Sequence, residues 1–185
     1  MTTAAATVVK LEPLADTHID SLVIWRSRKE AQLHQPIADL GREQLERFIH
    51  SRMPGNFSDL LDHDYILIIA DAMSGEYVGW MTIEVTSRLH GLVRIGYTVD
   101  KLYWGRGYAT SAVSELSRLL FSESATARME ADCSVHNPAS KRVLEKCGFR
   151  LIGIKKDYLI IHGERVDHLY YELLKKDYLA SAAPR

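Results

Sequence analysis

Apolar residues along the chain follow two spacings, and each spacing predicts one type of secondary structure. Alternation or short β-branched runs, typical of strands, occur at residues 8–14, 65–70, 77–85, 93–99, 128–135, 149–155 and 166–174. Elsewhere apolar residues repeat every three or four positions, which predicts helices over about 16–29, 39–53, 108–122 and 137–147. The predicted order is therefore β-α-α-β-β-β-α-β-α-β-β.

This order predicts an α/β fold in which helices cover both faces of a mixed sheet. Residues 65–99 read as three neighbouring antiparallel strands, because the first two are separated only by Met-Ser-Gly-Glu at 73–76. Asp16 and Thr17 are expected to cap the first helix, and Gly148 is expected at the C′ position of the last one.

Charge and composition exclude several classes of protein. The chain has 185 residues and a formal net charge of -1, which suits one domain and argues against a dedicated nucleic-acid surface. No apolar run approaches the roughly 20 residues of a membrane span, so no membrane partner is expected. Only Cys133 and Cys147 occur and no metal-ligand spacing is present, which favours a reducing, cytoplasmic setting and no metal.

Residues 103–110, Tyr-Trp-Gly-Arg-Gly-Tyr-Ala-Thr, lie between a predicted strand and a predicted helix. Glycines at that position expose backbone N–H groups at the positive end of the helix, where a phosphate is favoured, and Arg106 can add a charged contact. The segment lacks the third glycine and the acidic residue of a dinucleotide fingerprint, and it lacks the Gly-Lys-Ser/Thr of a P-loop. A phosphate-binding loop is the functional interpretation, and tight packing or a simple turn is the alternative.

Two further motifs flank this segment: Ile-Gly-Tyr-Thr-Val-Asp at 95–100, and Asn-Pro-Ala-Ser at 137–140 followed by Glu-Lys-Cys-Gly-Phe at 145–149. Together, in this order, the motifs resemble the GCN5-related N-acetyltransferase (GNAT) family. The similarity is greatest to the branch with the RimJ/RimL ribosomal-protein acetyltransferases and the bacterial spermidine acetyltransferases. It covers roughly residues 8–179 as one domain, with flexible ends expected at 1–7 and 180–185.

The resemblance implies that acetyl-CoA is the acyl donor and lies in a V-shaped opening between the strands at 93–99 and 128–135. It implies backbone hydrogen bonds from residues 97–99 to the pantetheine and acetyl groups, and a pyrophosphate at residues 104–110. The implied cofactor-binding residues are Tyr97, Thr98, Val99, Trp104, Gly105, Arg106, Gly107, Tyr108, Ala109, Thr110, Asn137, Ser140 and Lys141.

Three positions depart from the family pattern. Trp104 stands where the family loop usually begins with Gln or Arg, Leu144 replaces a frequent tyrosine acid, and Arg94 replaces a frequent acidic residue. Ser140 is then the expected hydrogen-bond donor to the departing sulfur, although it also suits the first turn of a helix. Glu84 is the expected base, and a cross-strand ion pair with Arg94 is the simpler alternative.

Other base candidates, namely Glu130, Asp132 and His136, fit an exposed strand face equally well. An α-amine is partly neutral near pH 7 and needs little help from a base, which favours a peptide N-terminus as acceptor. The expected reaction is direct attack of a primary amine on acetyl-CoA in a ternary complex. Polyamines, other small amines and a catalytically silent CoA-binding module remain alternatives, as do a monomer and a homodimer.

Overall fold

Seven strands form one mixed sheet that carries helices on both faces. The computed structural model describes residues 7–35, 43–44, 46–47, 61 and 64–182. The strands are β1 Val9–Pro13, β2 Tyr65–Asp71, β3 Tyr77–Ser87, β4 Leu92–Val99, β5 Arg128–Ser134, β6 Arg150–Ile161 and β7 Glu164–Leu174. The helices are α1 Ile19–Ser27, α2 Lys29–Gln32, α3 Tyr108–Glu123, α4 Pro138–Lys146 and α5 Lys175–Ala182, with short 3-10 turns at Asp16–His18 and Lys101–Tyr103.

The spatial order of the strands is β1-β2-β3-β4-β5-β7-β6. Among the neighbouring strands of the described residues, β4 and β5 are parallel and the other pairs are antiparallel. No helix in the described part of the chain has the length and apolar content needed to cross a bilayer.

Each face of the sheet has its own apolar core, since strand side chains alternate between the faces. On one face, α3 and α4 cover the sheet and bury Val113, Leu116 and Leu144 completely. On the other face, α1 packs Leu22 and Trp25 against the sheet, and the Trp25 ring stacks on Trp80 at a centroid distance of 6.0 Å. This second face carries polar side chains where α1 does not cover it.

The fold class predicted from the sequence is confirmed. All seven strands are present, and Tyr65–Asp71, Tyr77–Ser87 and Leu92–Val99 form the expected antiparallel meander. The helix predicted over 108–122 is observed as α3, and the one predicted over 137–147 as α4, capped by Asn137. Gly148 follows α4 with φ of 84°, as expected of a C′ residue.

The expected first helix was wrong in two details. Asp16 and Thr17 lie in a 3-10 turn, and the ring nitrogen Nδ1 of buried His18 accepts the Ala15 N–H at 2.9 Å in place of a side-chain cap. The helix then breaks at Arg28, which is extended with ψ of 137° while its guanidinium pairs with buried Asp100. A contact with a residue 72 positions away therefore overrides the local pattern.

The ends of several other elements differ from the predicted ones. Strand β6 continues to Ile161 rather than ending at 155, and helix α5, which the predicted order lacks, extends to Ala182. Residues 43–44 and 46–47 are helical, in the middle of the helix predicted over 39–53. The apolar stripe expected there, Leu45, Phe48, Ile49 and Met53, lies outside the described residues.

Candidate active site

Strands β4 and β5 pair at one end only and then separate. The parallel register joins Leu92–Arg94 to Arg128–Glu130 and stops there, although both strands continue. The unpaired parts, residues 95–99 and 131–134, form the two sides of a V-shaped opening. The splay expected between these strands is therefore present.

Backbone groups of Tyr97 and Val99 face this opening. The Asp100 N–H donates to the Val78 carbonyl on β3 at 2.8 Å. Successive residues of a strand direct their backbone groups to opposite sides, so Thr98 also faces β3, whereas Tyr97 and Val99 face away from it. Of the three residues expected to offer backbone groups at this place, two do so. Thr98 instead turns its side chain to the other face of the sheet, where Oγ1 accepts from Gln35 Nε2 at 3.3 Å.

The glycine-rich segment leads from the open end of β4 into α3. Gly105 and Gly107 have φ of 75° and 88°, a conformation that other residues rarely adopt. Gly107 is the N-cap of α3 and provides no capping side chain, and the first helical bond runs from Ser111 N to the Gly107 carbonyl at 2.9 Å. The N–H groups of residues 108–110 consequently have no partner within the helix. They suit an anionic group at the positive end of a 16-residue helix.

The side chains of this segment hold it against the sheet. The Trp104 indole N–H donates to the Val99 carbonyl at 2.7 Å. Because the Trp104 side chain is 51% exposed, it holds the segment through this hydrogen bond rather than by packing in the core. The Tyr108 hydroxyl donates to Asp71 Oδ2 at 2.7 Å. The backbone N–H of Ser74, this hydroxyl and the Met73 N–H hold the pKa of Asp71 at about 2. Arg106 is exposed, with its guanidinium carbon 5.7 Å from the centre of the Tyr103 ring.

Helix α4 begins on the other side of the opening and brings Ser140 to Tyr97. Asn137 Oδ1 accepts the Ser140 N–H at 3.0 Å, so Asn137 has the capping role. The Tyr97 hydroxyl lies 2.8 Å from Ser140 Oγ and 3.2 Å from the Ser140 carbonyl. Burial raises the pKa of the Tyr97 phenol far above its ordinary value, and the Ser140 bond opposes this only in part. The phenol is thus a permanent hydrogen-bond donor at neutral pH.

Glu84 lies apart from Ser140, whereas Lys141 is its neighbour on α4. Glu84 sits opposite Arg94 in the β3–β4 register, with Oε2 3.2 Å from Arg94 Nη1, as the ion-pair alternative expected. Arg94 and Tyr97 are three positions apart on β4 and direct their side chains to opposite faces of the sheet, so Glu84 is not brought together with Ser140. Lys141 is exposed on the first turn of α4 and lies 3.9 Å from Glu145.

Sequence reasoning missed His34 and Lys155 on the polar face beside the opening, where they lie close to the candidate bases His136 and Asp132. Burial, with His136 nearby, lowers the pKa of His34, so the end of α2 and the start of α4 approach each other. The ammonium group of Lys155 lies 3.1 Å from Asp132 Oδ1 on β5. The Tyr97 phenol was also missed, because the expected role of Tyr97 used only its backbone. No local pattern links it to Ser140, 43 residues later.

Comparison with known proteins agrees with this geometry. The family model described as the acetyltransferase (GNAT) domain matches residues 9–150. The chain is 29% identical over 103 residues to an uncharacterized N-acetyltransferase, p20, of Bacillus licheniformis, which is 56% of this chain and 58% of p20. It is 30% identical over 84 residues to the [ribosomal protein uS5]-alanine N-acetyltransferase of Escherichia coli, or 45% of this chain and 43% of that enzyme. The aligned part thus spans about half the length of these relatives.

A solved structure extends the likeness of the fold to nearly the whole chain. The spermidine N-acetyltransferase from Vibrio cholerae, in complex with CoA and spermine, superposes with a TM-score of 0.79 at 16% sequence identity. The superposition covers 92% of this chain and 98% of that one.

Proposed function

The chain belongs to the acetyltransferase (GNAT) family, and on this premise we propose that it transfers an acetyl group from acetyl-CoA to a primary amine. The observation that carries the proposal is the opening between β4 and β5, which has free backbone groups on one side and a helix N-terminus at its end. The proposed catalytic domain is residues 8–179.

The pyrophosphate of acetyl-CoA would bind at the start of α3. The N–H groups of residues 108–110 and the backbone at Gly105 and Gly107 supply donors, and Arg106 supplies a positive charge. Tyr97 and Val99 would bond the pantetheine and acetyl groups, and the Val99 N–H would polarise the thioester carbonyl. Trp104 fixes the carbonyl of Val99 and so holds the end of the strand in place. Lys141, exposed on the first turn of α4, would serve the nucleotide.

Ser140 would stabilise the departing thiolate. The amine nitrogen attacks the thioester carbon, the carbon–sulfur bond breaks, and the proton lost from the amine passes to water. A thiol with a pKa of about 8.5 is a good leaving group, so a hydrogen bond to the sulfur is sufficient help. If Tyr97 donates to Ser140 Oγ, the hydroxyl proton of Ser140 is free to point at the sulfur. Tyr97 is then a positioning residue that compensates for the missing tyrosine at Leu144.

A peptide N-terminus is the proposed acceptor, ahead of polyamines and other small amines. An α-amine has a pKa near 7.7–8.0 and is partly neutral at physiological pH, whereas an alkylamine near 10.4 is not. The expected base Glu84 pairs with Arg94 at 3.2 Å on the face of the sheet opposite Tyr97, so an acceptor that needs no strong base suits this site. The E. coli relative acts on a ribosomal protein and the V. cholerae enzyme on spermidine, so the family offers both classes.

A thiol-release assay with acetyl-CoA and an amine panel tests the proposal. The panel comprises an alanyl peptide, spermidine and free L-alanine, and calorimetry measures acetyl-CoA binding in parallel. We expect turnover that is fastest with the peptide. Binding without turnover on any amine would favour the CoA-binding module, which Leu144 also favours because it is completely buried and has no polar atom. Absence of acetyl-CoA binding would refute the proposal.

A further inference from the structure

One lysine of the sheet is held in a cage of aromatic rings beside the opening. The Lys155 Nζ lies 4.4 Å from the centre of the Tyr158 ring and 4.2 Å from that of Tyr170. A carboxylate completes the cage, because Asp132 Oδ1 is 3.1 Å from the same nitrogen. The side chains of Lys155 and Asp132 are only 22% and 13% exposed. Two ring faces and a carboxylate are the groups that recognise an ammonium ion.

An irregularity in β6 builds one wall of this cage. The β6–β7 register jumps from Lys155–His168 to Leu159–Val166, so residues 156–158 bulge from the strand. Asp157 in the bulge has φ of 47°, which is strained for a residue other than glycine. The backbone of Asp157 is held on both sides. Its N–H donates to Asp167 Oδ1 at 2.9 Å, and the Asp157 carbonyl accepts from the Arg165 guanidinium at 2.9 Å. The bulge keeps Tyr158 over Lys155, and bulges of this kind often adjoin functional sites.

We call the glycine-rich segment at residues 103–110 the donor loop. The cage faces the side of the opening that the donor loop and α3 leave free. Asp132 follows Glu130, the last β5 residue paired with β4, by two positions, so it flanks the start of the opening. Its neighbours Ala131 and Cys133 pack in the core under α3 and α4. The side chain of Asp132 therefore points to the opposite face, and Arg94 of β4 approaches it to 3.8 Å.

We infer that Asp132, Tyr158 and Tyr170 form a binding subsite for the primary ammonium group of the acceptor, which Lys155 fills until the acceptor displaces it. Lys155 is itself a primary ammonium on an alkyl stem, so the structure holds the chemical group that the subsite would take. The identity of the ligand as an acceptor rests on the proposed function. The binding of an ammonium ion by the cage does not depend on the proposed function.

Capture in this cage precedes the chemical step. The attack on a thioester requires a neutral amine, whereas the cage binds the cation. The acceptor would arrive as an ammonium ion and lose its proton when it leaves the carboxylate for the thioester. Lys155 is attached to the chain beside the cage, so it competes with the acceptor for the cage at a high effective concentration. This competition keeps the acceptor ammonium ion from remaining bound there.

Binding of n-butylammonium, a copy of the lysine side chain, tests the inference without any need for turnover. Calorimetry compares the wild type with Lys155→Ala, which empties the cage, and with Lys156→Ala as the matched control. Lys156 is the adjacent lysine, 74% exposed and paired with Asp167 at 2.7 Å, and it has no contact with the rings. We expect Lys155→Ala to bind n-butylammonium at least about tenfold more tightly than either other protein, because the tethered competitor is gone.

Two further measurements separate the possible outcomes. Adding Tyr158→Leu to Lys155→Ala should remove most of the gain, and n-butylammonium should raise the melting temperature of Lys155→Ala more than that of Lys156→Ala. Equal affinity of the three proteins, or weaker binding by Lys155→Ala, would overturn the subsite and leave Lys155 as a structural ion pair. If n-butylammonium binds as expected but no amine is acetylated, the proposed function fails while the subsite stands. Should Lys155→Ala not fold, Tyr158→Leu alone must weaken n-butylammonium binding to the otherwise native protein, and unchanged binding would equally reject the subsite.

Discussion

Replacement of Tyr97 with phenylalanine should slow acetyl transfer, and it should do so only through Ser140. The substitution removes one oxygen atom, the one that lies 2.8 Å from Ser140 Oγ, and leaves the ring in place. In the proposed mechanism, Ser140 would then lose the partner that orients its hydroxyl proton toward the leaving sulfur. The backbone of Tyr97, which faces the opening, is unaffected.

The size of each effect follows from the bonds that are lost. Ser140→Ala removes a hydrogen bond to a developing thiolate, worth about 1.5–3 kcal/mol, so kcat should fall about 10- to 150-fold. Tyr97→Phe removes a bond between neutral groups, worth about 1 kcal/mol, so kcat should fall about fivefold. The double variant should match Ser140→Ala within about a factor of two, because Tyr97 acts through a group that is already gone.

Thiol release at saturating amine gives kcat for the wild type, both single variants and the double variant. The KM for acetyl-CoA should stay nearly constant, since neither hydroxyl contacts the pyrophosphate loop in this structure. Tyr178→Phe is the matched control, because it removes the same atom from a tyrosine of α5 that packs on Phe121 away from the opening. If the losses from Tyr97→Phe and Ser140→Ala multiply in the double variant, the two residues act independently and the reasoning is refuted.

Three other predictions concern the donor loop and two titrating groups. Gly107→Val should weaken acetyl-CoA binding at least about tenfold, as measured by calorimetry, because the valine side chain would cover the backbone donors to the phosphate. Gly75→Val is the control: Gly75 has a similar φ of 74°, so the substitution should strain the backbone without weakening acetyl-CoA binding. Burial raises the pKa of Cys133 to about 11, so iodoacetamide at pH 8 should modify it about 100-fold more slowly than an ordinary thiol, as followed by mass spectrometry. The depressed pKa of Asp71 stabilises the fold above pH of about 4 and ceases to do so as pH falls through about 2. Asp71→Asn should therefore melt below the wild type at pH 7, and the difference should vanish near pH 2.

Each of these three predictions can be contradicted by a specific result. Equal loss of acetyl-CoA affinity in the Gly107 and Gly75 variants would mean that strain, not the phosphate site, sets the effect. Rapid alkylation of Cys133 in the folded protein would place its thiol in contact with solvent. A melting difference for Asp71→Asn that persists unchanged at pH 2 would show that its bonds to Tyr108 and the turn do not depend on its charge.

Local sequence patterns predicted those elements whose stability is decided locally. The apolar stripe of α3 repeats with the helical period, and Asn137 and Gly148 mark the two ends of α4 by capping chemistry. The same patterns failed where a distant contact decides the conformation. Arg28 breaks the first helix while it reaches Asp100, and α5 carries only a weak apolar stripe and packs Tyr178 against Phe121 of α3.

The candidate site divides in the same way. Glycines before a helix are a local signal, so residues 103–110 alone predicted a phosphate-binding loop, with tight packing or a simple turn as the alternative. The direction of a backbone N–H is set by strand pairing, and only the register with β3 shows that Val99 faces the opening while Thr98 does not. The Tyr97–Ser140 contact and the Lys155 cage each join residues more than twenty positions apart, and they depend on the splay and on the bulge of β6.

Two of the three departures from the family pattern, Leu144 and Arg94, have separate physical consequences. Leu144 leaves α4 without a hydroxyl at this position, and in the proposed mechanism the Tyr97 phenol, 2.8 Å from Ser140 Oγ, would help the leaving group by another route. Arg94 bears on proton abstraction instead, because its guanidinium lies 3.2 Å from Glu84 and 3.8 Å from Asp132, so both carboxylates already have an ion-pair partner. If the proposed leaving-group assistance is present and these carboxylates stay in their ion pairs, the site suits amines that are already partly neutral. This is the reason to place a peptide α-amine ahead of an alkylamine as the acceptor.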